Sequence, residues 1–175
     1  MVVSSVLFSG LSSTFPFSNE RIIGKNDADF YALARVGEYS YAKNYVVFRD
    51  NTKWAAAVIS EVDTSWGGKK RPLFQNHAVS ICEDSEGNFI TLDEAFYICG
   101  IMNSSVVYEY MMKSSDSRSF PIRPRIRIPK YDRKNKHHIK IVKLCKKAHK
   151  EFDKPDKIEK IKSELSECYL EMLSE

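Results

Sequence analysis

The sequence predicts an α+β fold: a small, mostly antiparallel sheet packed with helices, followed by a basic extended segment and C-terminal helices. Three observations predict it. Short runs rich in β-branched and aromatic residues, separated by turn-prone stretches, fill the first half of the chain. A capping-box sequence opens a helical pattern at Thr91. Three prolines, Pro121, Pro124 and Pro129, then exclude regular helix from a basic stretch, and two amphipathic helical patterns follow it.

Residues 1–29 show no clear period and read as an arrival segment ahead of a domain over 30–152, with a C-terminal helix over 153–175. The predicted strands are 30–36, 45–49, 55–62 and 77–83, divided by polar turns. After the turn at 84–88, the Thr91 hydroxyl can accept from a first-turn amide while Glu94 reaches back, so a helix starts there. Leu92, Ala95, Phe96, Cys99 and Met102 share one face of it, and Val106, Val107, Tyr110 and Met111 mark a second helix after Asn103-Ser104.

The proline-bearing segment 120–130 runs extended. Side chains alternate along an extended chain, so Arg123, Arg125 and Arg127 share one side as a cationic comb. A helix over 137–152 carries Ile141, Leu144, Cys145, Ala148 and Phe152 on its apolar face, with lysines mostly elsewhere. The last helix, after Pro155, bears Ile158, Ile161, Leu165, Cys168 and Met172 as a two-heptad stripe that packs in cis or on a partner.

Composition excludes several classes. The 43% hydrophobic and 29% charged residues are those of an ordinary globular domain. No apolar run approaches the roughly 20 residues of a membrane-spanning helix. The N-terminal residues lack a positive leader and their apolar runs are broken by serines, which argues against a secretory signal. Four scattered cysteines without a paired spacing predict free thiols, a cytoplasmic setting and no metal site.

No phosphate-loop, dinucleotide, zinc-protease or nucleophile-elbow signature is present, so no catalytic residue and no cofactor is expected of this chain. The step Gly67-Gly68-Lys69-Lys70 lacks the first glycine and the following hydroxyl of a phosphate loop. His77, His137, His138 and His149 fall in a strand and at helix ends, where capping and solvated roles are expected.

Charge is the informative quantity. Residues 118–150 hold 13 Lys or Arg against a single acid, Asp132; totals of 27 and 23 leave 14 basic and 22 acidic residues elsewhere, a net of −8. A basic block on an acidic scaffold is the footprint of a polyanion partner. Within it, Arg118, Arg123, Arg125, Arg127, Lys130 and Lys134 are the expected phosphate contacts, since guanidinium pairs bidentately with phosphate or guanine. A solvated lysine face remains the alternative for the helix. Trp66, followed by Lys69, Lys70 and Arg71, forms a second constellation able to enter a groove, unless Trp66 is tucked into the core. Tyr39 and Tyr41 are the remaining base-contacting candidates, with half-buried packing as their alternative.

Three blocks carry a family resemblance. They are Val36-Gly37-Glu38-Tyr39-Ser40-Tyr41 with Tyr45-Val46-Val47-Phe48-Arg49; the helix Asp93-Glu94-Ala95-Phe96-Tyr97-Ile98-Cys99-Gly100-Ile101-Met102-Asn103-Ser104-Ser105; and Arg127-Ile128-Pro129-Lys130-Tyr131-Asp132 with His138 and Leu144-Cys145-Lys146-Lys147-Ala148-His149. In order and spacing they resemble the C-terminal target-recognition region of restriction-modification adenine-N6 DNA methyltransferases, including fused nuclease-methylase forms. The resemblance implies a domain that reads a double-stranded DNA site beside a methyltransferase catalytic domain or subunit. That partner would bind S-adenosylmethionine, and its Asn/Asp-Pro-Pro-Tyr/Phe motif is not in this sequence. The expected function is therefore sequence-specific DNA binding without methyl transfer. The alternative is a protein-interaction or specificity subunit docking on a methylase or nuclease, and RNA binding is a third reading.

Overall fold

The structure, a computed structural model, describes residues 38–51, 53–72, 74, 77–115, 120 and 124–175. The predicted strand 30–36, the arrival segment, and Arg118 and Arg123 lie outside the described residues. Within them the fold is α+β, as the patterning predicts. After a 3-10 turn, Glu38–Tyr41, come β1 (Tyr45–Arg49), β2 (Ala56–Ile59), β3 (Val62–Asp63), β4 (Lys69–Lys70) and β5 (Ala78–Ile81). Four helices follow: α1 (Leu92–Met102), α2 (Ser105–Ser114), α3 (Lys136–Lys150) and α4 (Pro155–Ser174).

The main sheet is antiparallel in the order β2-β1-β5, and β3 with β4 makes a separate two-stranded hairpin. The single strand expected over 55–62 is thus two, because the chain leaves the sheet at Ser60 to build the hairpin. In β1 the register sets Val46 opposite Val58 and Ile81, and Phe48 opposite Ala56 and Val79. These side chains point one way, as strand alternation requires, onto α1.

The Thr91–Glu94 capping box forms as predicted: the Glu94 amide donates to Thr91 Oγ1 at 3.3 Å and the Thr91 amide to Glu94 Oε2 at 2.7 Å. The face predicted for α1 is too narrow. Ala95, Tyr97, Cys99, Gly100, Ile101 and Met102 are all buried, while Leu92 is exposed. This follows from its central position: β1 and β2 cover one side, α3 and α4 the other. A helix apolar nearly all round is one that is enclosed.

α4 begins at Pro155, whose missing N–H costs nothing at a first turn. Its stripe packs in cis from its second member on: Ile161, Leu165, Cys168 and Met172, joined by Tyr169, enter the large core with α1, α2 and α3, while Ile158 is half-buried and outside it. The helix therefore shares the core with α1, α2 and α3. Phe152, expected on the apolar face of α3, lies past that helix and is exposed.

Three of the four histidines are not solvated caps. His138 is 4% exposed and ringed by Tyr97 and Tyr131, with centroids at 4.5 and 5.9 Å. His137 is also buried, its Nε2 at 3.1 Å from Glu175 Oε1. His149 links two layers: its Nδ1 bonds the Cys145 carbonyl at 2.9 Å and its Nε2 accepts the Val58 amide at 3.0 Å. Only His77 is surface-exposed, against Asp50.

Candidate nucleic-acid interface

The extended segment keeps the predicted alternation. Ile126 and Ile128 turn partly inward onto the core, and Arg125 and Arg127 are exposed. Its backbone is fixed by Tyr169, whose hydroxyl donates to the Arg127 carbonyl at 2.6 Å. Burying apolar side chains on one side is what holds the arginines on the other. The comb ends differently from expectation: Lys130 pairs with Glu86 at 3.1 Å, in a loop that also presents Asp84. That hydrogen bond and charge raise the Lys130 pKa. Lys130 is thus partly neutralised, whereas Lys134 is exposed with no ion pair among the described residues.

Where Lys130 bends in, a cavity of about 220 Å³ opens between the Asp84 loop, α1 and the extended segment. Its floor is Ile81, Ile90, Tyr97, Ile98, Ile126 and Ile128, and Glu83, Asp84 and Glu94 stand on its rim. Burial pushes the Asp84 carboxyl up, but hydrogen bonds from Asn88 and the Glu86 amide outweigh it, so the group stays ionised at lower pH than usual. Lys130 also lines the cavity, but the carboxylates around it make it a poor seat for phosphate.

The helix α3 carries a second cationic feature, more ordered than a scattered lysine face. Lys136, Lys140, Lys143, Lys147 and Lys150 are all exposed, and their steps of four and three residues set them in one stripe. His137, His138, Ile141, Val142, Leu144 and Cys145 occupy the opposite, buried face. The stripe spans about 21 Å at 1.5 Å per residue. Among the described residues Lys136 pairs with Glu175 and Lys146 with Asp93, while Lys140, Lys143, Lys147 and Lys150 form no ion pair. The i, i+4, i+7, i+11, i+14 spacing is the signal for it in the sequence.

The third cationic feature is the β3–β4 hairpin. Its turn is closed by Thr64, whose amide donates to the Gly68 carbonyl at 3.0 Å and whose hydroxyl donates to the Gly67 carbonyl at 2.7 Å. Gly67 and Gly68 take φ of 90° and 77°, a region that disfavours side chains, and this is why two glycines stand there. Trp66 is not tucked into the core: it is 79% exposed, beside exposed Lys69, Lys70 and Arg71. The Arg71 guanidinium donates to the Tyr41 carbonyl at 2.8 Å, and the Tyr41 side chain is 70% exposed. Tyr39 corrects the opposite way. It is buried with Ala42, Tyr45 and Cys82 and accepts the Tyr45 hydroxyl on its carbonyl, so it packs and is not available to a base.

The cations therefore lie on three exposed features: hairpin, extended segment and α3. No described hydrogen bond or ion pair joins the hairpin to Arg125 or Arg127. Among the described residues no group of His, Cys, Asp and Glu is placed to hold a metal ion, and no helix is long and apolar enough to cross a membrane. Compared with known protein families, curated proteins and solved structures, the chain matches none.

Proposed function

We propose that this chain binds duplex DNA and serves as the target-recognition part of a restriction-modification adenine methyltransferase, with methyl transfer supplied by a separate catalytic domain or subunit that carries S-adenosylmethionine. The observation that carries DNA binding is the α3 stripe, four of whose five lysines have no carboxylate partner among the described residues. DNA presents phosphates every few ångströms along its axis, so a stripe of about 21 Å is long enough for its four unpaired lysines each to reach one. Arg125, Arg127 and Lys134 add phosphate contacts from the neighbouring segment, and Lys69, Lys70 and Arg71 bring the hairpin to the groove. Phosphate contacts fix position and the hairpin then meets the bases. The methyltransferase context rests on the three sequence blocks.

A mobility assay with duplex DNA at moderate salt tests this reading, with single-stranded RNA as competitor. A shift that weakens as salt rises supports it. RNA outcompeting the duplex would favour the RNA reading.

A second reading has its own observation. Val106 and Leu170 are exposed apolar side chains at the α2–α4 junction, where the Val106 amide donates to Ser166 Oγ one turn before Leu170. If the chain instead docks on a methylase or nuclease subunit, that face is the contact, and no DNA shift appears.

A further inference from the structure

We infer that the β3–β4 hairpin is a stacking device: Trp66 takes the exposed face of a nucleobase while Lys69 and Lys70 hold the adjoining phosphates. This rests on the DNA-binding reading above and adds to it the mode of base contact, the face rather than the edge.

Four features of the hairpin carry the inference. Its turn is locked by three hydrogen bonds centred on Thr64, so Trp66 is presented on a fixed support. The side chain is 79% exposed, whereas the only other tryptophan, Trp54, is 3% exposed and donates its Nε1–H to the Met102 carbonyl. A Cβ added at Gly67 or Gly68 would meet nothing within 4 Å, so no neighbouring element covers the turn. Lys69 and Lys70 follow directly in β4, opposite Asp63 and Val62, and Arg71 anchors the strand to Tyr41.

The chemistry of indole then selects the contact. Trp has one donor and no acceptor, which cannot tell bases apart by their edges, but it has the largest aromatic face of any side chain. Stacking on an aromatic face accepts any base, and cations beside it meet the backbone. A base offers its face only where the stack is open. The ligand class is therefore DNA with an unstacked or missing base, which Trp66 fills or caps.

The test compares an intact duplex with the same duplex carrying one abasic position, using the full chain. Affinity is read by anisotropy, and Trp66 by fluorescence and iodide quenching, since buried Trp54 is shielded from iodide. The wild type is expected to prefer the abasic duplex by about five- to 150-fold, the range of a stacked base. Trp66 emission should fall and become protected from iodide in the complex. Trp66→Ala is expected to abolish the preference, and Trp66→Phe to retain most of it. Equal affinity of the wild type for both duplexes, with Trp66 still open to iodide, overturns stacking while leaving DNA binding in place. Failure to bind either duplex overturns both.

Discussion

Asn103 clasps the peptide of Ala56 from both ends. Its Oδ1 accepts the Ala56 amide at 3.0 Å, and its Nδ2 donates to the Ala56 carbonyl at 2.8 Å. β2 is an edge strand, and unpaired edge groups invite pairing with another chain. Asn103, at the C-cap of α1, and His149, on the Val58 amide, close that edge with side chains.

Asn103→Ala leaves an amide and a carbonyl of β2 without partners. Stability is expected to fall by about 1–3 kcal/mol, the cost of stranded buried polar groups. Urea denaturation followed by circular dichroism measures it. Asn103→Asp keeps the acceptor but sets a carboxylate against the Ala56 and Cys99 carbonyls at the C-terminus of α1, so it should not restore the loss.

His138 makes stability depend on pH. Its Nδ1 accepts the Asp132 amide at 2.8 Å, which requires that nitrogen unprotonated, and burial lowers its pKa, opposed by Asp132 and assisted by His137. The unfolded chain therefore takes up the proton more readily than the fold. Stability is full above the ordinary histidine pKa of about 6.5 and declines as pH falls through it toward the depressed folded value. Thermal unfolding between pH 7.5 and 5 should show this decline, and His138→Gln should flatten it.

Gly100 sits where α1 meets α3 and α4. A Cβ there would stand 2.7 Å from Ile141 Cγ2 and 3.3 Å from both Cys145 Cβ and Leu165 Cδ2. Ile141 is branched at Cβ and stiff, so it cannot simply swing away. Gly100→Ala is expected to destabilise by about 1–3 kcal/mol through overpacking, against the usual gain for alanine in a helix. The denaturation midpoint decides the sign.

All four cysteines are free and buried. Burial, with Glu83 beside it, pushes the Cys82 thiol up to about 12; the neighbouring Cys99 thiol together with burial raises Cys145, and burial raises Cys168. A thiol reagent at neutral pH should label none of them in the native protein and all four after unfolding.

These relationships explain what was legible in the sequence. Capping box, turn and proline signals act within a few residues, and they placed α1, α2, α3 and α4 within two residues of their starts. The blocks that carry the family resemblance turn out to contain scaffold residues: Asn103 and His149 close the β2 edge, and Tyr131 stacks on His138. What stayed illegible depends on residues far apart in the chain. Nothing local to His137, His138 or His149 marks them as buried, because α1, α4 and β2 bury them. Likewise Glu86 lies 44 residues from Lys130, and no spacing rule pairs them. The exposure of Trp66 follows from the hairpin's departure from the main sheet, which no local signal announces.

The salt dependence of duplex binding tests the central claim most directly, because counterion release counts the phosphates that the protein neutralises. With about five phosphates neutralised, log affinity should fall against log salt with a slope of roughly −4 to −5. Replacing Lys143, Lys147 and Lys150 by Gln should make that slope shallower by about 0.9 for each phosphate that is no longer neutralised. A wild-type slope near zero, or a slope unchanged in the triple variant, would contradict the account.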